Sequence, residues 1–122
     1  MLLILAAVDV IFAGALAGAP AETRATDNYK LYAALLPLWA WGALWAAVGV
    51  LCLALAWTSQ DRLAYGAATG LKVFWALLHL LAWAVGVLPR GYVAAAIWLL
   101  AAGLVMVIST VPRTAPTEGG QR

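Results

Sequence analysis

Apolar residues in this chain come in long unbroken runs, and the polar residues gather between them. Residues 2–19, 37–57, 66–88 and 92–111 each stay apolar over a length near the ~20 residues that take a helix across ~30 Å of hydrocarbon. No run alternates with a period of two, and a backbone in lipid must satisfy its N–H and C=O groups within its own segment. The runs therefore predict helices. The predicted fold class is all-α, a four-helix transmembrane bundle over residues 1–111. Residues 112–122 have the Pro, Gly and Thr content of a disordered polar tail.

The links between the runs differ. Residues 20–36 form the longest, with Glu22, Arg24, Asp27, Asn28 and Lys30. Its second half, "NYKLYAALL", either lies along the membrane interface or extends the second helix, with Pro37 at a kink or in a first turn. "TSQDR" at 58–62 predicts a short turn. "PRG" at 89–91 is tighter and predicts an antiparallel hairpin of the third and fourth spans. The first run starts directly after Met1 with no basic region, is interrupted by Asp9 and is followed by Pro20. These features predict a retained helix rather than a cleaved signal. Four spans put both termini on one side. Arg62, Lys72, Arg113 and Arg122 lie towards that side, and Arg24, Lys30 and Arg90 towards the other. By that margin of one, the positive-inside rule predicts a multi-pass protein of the cell membrane with cytoplasmic termini.

Composition agrees with the pattern. Of 122 residues, 66% are hydrophobic and 10% are charged, against about 25% charged in an average soluble domain. A water-soluble fold of this length has too little interior to hide so much apolar surface. The net charge of +2 and the lack of a basic run exclude a nucleic-acid partner. The single cysteine, Cys52, excludes an internal disulfide or a cysteine cage for a metal. No Ser/His/Asp set, HExxH, phosphate loop or CxxC is present. The expectation is a non-enzymatic protein with no cofactor and no metal. Its partners are the lipid bilayer and either a second copy or a larger membrane complex.

Asp9, Lys72 and His79 are the residues that lipid should reject, since a charge at the bilayer centre costs about 2.5–3.5 kcal/mol on insertion scales. At ~1.5 Å per residue from the terminal side, Asp9 lies roughly 12 Å deep, Lys72 roughly 9 Å and His79 roughly 20 Å, near mid-span. Asp9 and Lys72 match in depth and pair if the first and third spans touch. His79 reaches Asp9 only if the first span shifts along its axis. Lys72, Trp75, His79, Trp83 and Gly86 follow helical spacing and share one face. That seam reads either as a proton or cation path lined by tryptophans, or as structure, with a neutral His79 bonded across helices and Lys72 snorkelling. Tyr29, Tyr32, Trp39, Trp41, Trp57, Tyr65 and Tyr92 frame the spans as interfacial belts. Trp45, Trp75, Trp83 and Trp98 lie deeper, where helices pack. Close helix contacts are expected at Gly66 and Gly70 of "GAATG", at Gly42 and Gly49, and at Gly103.

The "WAWGALWAAVG" of the second run, the "DR" turn and the tryptophan face of the third resemble small four-span membrane proteins of actinobacteria and their phages. Most of those have no assigned activity and some are suspected holins. The length, the four spans and an acidic residue in the first span also resemble small multidrug resistance transporters. Here Asp9 stands where that family has glutamate, and the first loop is longer. Three functions follow: a membrane component that packs with itself or a partner, a holin-like pore former, and a proton-coupled transporter using Asp9.

Overall fold

The computed structural model describes residues 1–112, and all its regular structure is helical. The chain runs α1 (Leu2–Ala17), α2 (Ala21–Arg24), α3 (Asp27–Leu35), α4 (Leu38–Leu55), α5 (Asp61–Ala84) and α6 (Gly91–Thr110). Among these, α4, α5 and α6 are long and apolar enough to cross a membrane. The chain thus carries the helices of a small membrane protein. α1 is equally apolar but has 16 residues, about 24 Å at ~1.5 Å per residue, so its length alone does not establish a fourth span. The expected tail, apart from Pro112, lies outside the described residues.

Local chemistry sets the helix ends. The residue before a proline is pushed to extended backbone. Leu36 is extended at φ −147° and ψ 153°, and Pro37 caps α4. "NYKLYAALL" is therefore not an extension of α4. It is a separate short helix that folds back onto the others. The "DR" of the predicted turn belongs to α5, which opens at Asp61. The turn itself is shorter, with Thr58 N–H and Oγ1 both donating to the Leu55 carbonyl. At its other end α5 stops four residues earlier than the hydropathy implied. Gly86 has φ +80°, its N–H donates to Trp83 O, and Val87 N–H donates to Ala82 O at 2.8 Å. That pair of bonds is a Schellman cap, which needs a residue able to adopt a left-handed backbone. Gly86 is thus a helix stop and not part of the α5 face.

The four long helices form two antiparallel pairs, α1 with α4 and α5 with α6, joined mainly through α4 and α5. Within each pair small residues let backbones approach. A Cβ on Gly42 would sit 3.1 Å from Ala13 O and 3.2 Å from Ala17 Cβ. One on Gly49 would sit 2.9 Å from Val10 Cγ2 and 3.2 Å from Ala6 O. In the second pair, Gly91 lies against His79 O and Trp83 Cβ, and Ala64, Ala68, Ala76, Ala95 and Ala102 are buried. Gly66, Gly70 and Gly103, expected at helix contacts, face no neighbouring atom within 4 Å. GxxxG spacing brings two backbones together only where a partner helix lies on that face.

Between the pairs the core has two layers. Towards the terminal end, Leu2, Leu5, Ala6, Cys52, Ala64, Ala68 and Val105 pack together. Towards the other end, Leu16, Tyr32, Trp41, Trp45, Leu71 and Trp75 do so, with Phe12 and Trp98 against them. The outer surface remains apolar, with Ile11, Leu81, Leu100 and Val107 all exposed. Hydrocarbon covers such side chains without penalty, whereas water would not.

Candidate functional site

The polar residues that lipid should reject all lie in the interior. Asp9 is 0% exposed, and Lys72 and His79 are 2% exposed. They form two separate contacts.

The first lies at the boundary of the two core layers. Lys72 Nζ donates to Asp9 Oδ1 at 2.8 Å, joining α5 to α1. Asp9 lies between the buried Ala6 and Ala13 of α1, and Lys72 between Ala68 and Trp75 of α5. The apolar periodicity of both helices therefore turns both side chains inward, at one level. The Lys72 ammonium also sits 5.4 Å from the Trp45 ring centroid, where the negative face of the indole attracts a cation. The ion pair joins the two helix pairs, so Lys72 is held in the core and does not snorkel to an interface. Asp9 Oδ2, Trp45 Nε1 and Trp75 Nε1 are buried and have no hydrogen-bond partner.

The second contact is built on His79. Its Nδ1 lies 2.7 Å from Trp75 O. A carbonyl only accepts, so Nδ1 carries the proton and donates. The other nitrogen, Nε2, lies 2.6 Å from the Tyr32 hydroxyl, which donates to it. Burial pushes the Tyr32 phenol above the usual tyrosine range, so it remains a donor. The Tyr32 backbone is held in turn, because its carbonyl accepts from Trp41 Nε1 at 2.9 Å. Tyr29 Oη, in the same helix, reaches Ala15 O at 3.4 Å. α3 is thereby tied to α1, α4 and α5. Because α5 runs from Asp61 to Ala84, His79 lies in the last third of that helix. It borders a cavity of about 300 Å³ shared with Asp27, Asn28, Leu88 and Arg90.

Rings fill the space between the two contacts. Trp75 meets Trp45 edge-on at 5.5 Å, Trp41 at 5.2 Å and Phe12 at 5.8 Å. Trp98 closes the far side, 5.3 Å from both Phe12 and Trp45. Edge-to-face pairs like these add to the packing beyond area alone. Two aromatic assignments change. Tyr32 and Trp41, expected in an interfacial belt, are 4% and 3% exposed and belong to this core. Trp83, expected on the buried face beside Trp75, is 45% exposed and meets Tyr92 edge-on at 5.6 Å. The buried face of α5 continues from His79 to Ala82, which leaves the Trp83 ring on the outer side of α5 against Tyr92.

Tyr32 is the residue that hydropathy reading missed. The signal was the unmet need of a buried His79 for a cross-helix partner, together with two tyrosines three residues apart before a helix-breaking Leu36–Pro37. Among the described residues no cluster of three or more His, Cys, Asp or Glu side chains is placed to hold a metal ion. Compared with family models, curated proteins and solved structures, the chain matches none.

Proposed function

We propose that the chain is a four-span integral membrane protein without a catalytic centre. Its polar seam is structural, and it serves as a packing component with a second copy of itself or with a membrane partner. The observation that carries this reading is the sealed Asp9–Lys72 ion pair, 2.8 Å long with both side chains withdrawn from the surface. A carboxylate that couples proton movement to transport has to meet water from each side in turn. Asp9 instead sits under Lys72 and between the packed α1 and α4, which supports a clamp and weighs against a carrier. The same packing supports α1 as the fourth span. It runs beside α4 from the Ala17–Gly42 contact to the Ala6–Gly49 contact, so where α4 crosses, α1 crosses with it.

Reconstitution in liposomes with an internal pH dye, together with melting in detergent, tests the reading. The expected result is proton leakage equal to that of empty liposomes. The charge-free double variant Asp9→Leu/Lys72→Met should melt close to the parent. Proton flux that depends on Asp9 and is lost in a double variant that still folds would replace the clamp with the transport reading. Abrupt collapse of membrane potential on induced expression would replace it with the holin-like one.

A further inference from the structure

We propose that the groove between the start of α5 and the end of α6 binds the phosphate of an anionic phospholipid. This rests on the membrane-spanning reading above. Arg62, Tyr65, Thr69, Met106, Ser109 and Thr110 border an open groove of about 710 Å³. Its floor is formed where Gly66 and Gly70 present backbone in place of side chains, and a Cβ on either would meet nothing within 4 Å. The two glycines are one helical turn apart and share a face. The pair that sequence suggested for helix contact thus keeps a slot open along α5.

The chemistry of the slot suits an anion. Among the described residues no acidic one lines it, and Arg62 supplies the charge. Among the described residues the Arg62 guanidinium, the Tyr65 phenol and the Thr69 hydroxyl have no hydrogen-bond partner. Ser109 and Thr110 donate to Met106 O and Val107 O at 2.7 Å each, so the free donors are those of α5. A guanidinium fork matches phosphate oxygens in geometry as well as charge. Position selects the source of that phosphate. Asp61 opens α5 and Thr110 closes α6 at the same end of the molecule, where spanning helices meet headgroups. From Arg62 to Gly70 is roughly 12 Å along the helix, enough for a headgroup at the mouth and the start of an acyl chain against Met106. In the orientation predicted from the charge count, this end meets the cytoplasmic leaflet, which carries anionic lipid.

The test uses the full chain in mild detergent, with phosphatidylglycerol or phosphatidylcholine added, read by native mass spectrometry and by melting temperature. One phosphatidylglycerol should be retained and should raise the melting temperature, while phosphatidylcholine should do neither. Arg62→Gln should weaken retention roughly fivefold, the equivalent of the ~1 kcal/mol that one cation near the surface contributes. Gly70→Leu fills the slot without touching charge and should weaken it at least as much. Both positions are open, so both variants should fold, and lipid-free melting checks this. Loss in Arg62→Gln with full retention in Gly70→Leu would overturn the proposal in favour of diffuse attraction. Equal stabilisation by inorganic phosphate alone would overturn it in favour of a soluble anion. A dimer that Gly70→Leu disrupts, with lipid unaffected, would assign the slot to a second copy. Extraction of the chain from membranes by alkaline carbonate would sink the membrane reading itself. A chain that resists carbonate but shows no lipid preference would sink only this site.

Discussion

Two polar contacts cross the interior, and their surroundings differ. The Asp9–Lys72 pair is ionic and is enclosed by α1, α4 and α5, with the Trp45 face over the ammonium. The Tyr32–His79 contact is a hydrogen bond between two side chains, made by a short helix folded in from one end, and it adjoins a cavity lined by Asp27, Asn28 and Arg90. A charge in the sealed site has no substitute for its partner. A polar group in the second site adjoins an open cavity with polar side chains on its wall. The lesson is that burial of a side chain does not measure its importance to the fold. What matters is whether anything else can satisfy the group left behind.

That difference orders the expected effects. The largest belongs to Lys72→Met, which leaves the Asp9 carboxyl buried without its partner and should destabilise the protein by about 3–5 kcal/mol. The double variant Asp9→Leu/Lys72→Met should recover most of it. Denaturant titration in detergent reads both, and a double variant as unstable as the single would show that charge pairing is not the source of the cost. Next is Gly49→Leu, which drives a side chain into Val10 and the α1 backbone. Overpacking of this kind costs about 1–3 kcal/mol, and the same measurement reads it.

Tyr32→Phe is smaller. It removes one hydrogen bond from a contact that borders an open cavity, so the loss should be about 0.5–1.5 kcal/mol. Its distinctive readout is faster proteolysis within residues 20–36, because α3 loses a tie. Cleavage at the parental rate would mean that ring packing alone holds α3. The smallest effect is expected at Gly103→Leu, where the added side chain meets open space and stability should change by no more than about 0.5 kcal/mol. A loss as large as that of Gly49→Leu would reveal an unrecognised helix contact there.

Much of this was legible in the residues and some was not. The depths of Asp9 and Lys72 followed from counting along two helices, and they meet once α1 and α5 pack into one bundle. Gly42 and Gly49 were legible because a seven-residue repeat of small residues marks one helix face. Gly66 and Gly70 carried as strong a spacing, yet their face opens on a groove, since spacing records a face and not its occupant. Tyr32 and Trp41 looked interfacial because an amphipathic ring suits the headgroup level as well as a buried hydrogen bond. Their direction depended on the break at Leu36–Pro37, which turned α3 back into the bundle.

Helical class and the membrane-length segments follow from the chain alone, because lipid demands apolar side chains and internally bonded backbone, and both demands are local. The pairing of α1 with α4 and of α5 with α6, the insertion of Tyr32, the expulsion of Trp83 and the sealing of Lys72 emerged in three dimensions. Lipid is as apolar as leucine, so hydropathy ranks segments without ranking their faces. Which face turns inward is set by contacts between residues far apart in sequence, such as Gly49 with Val10, Lys72 with Asp9 and His79 with Tyr32.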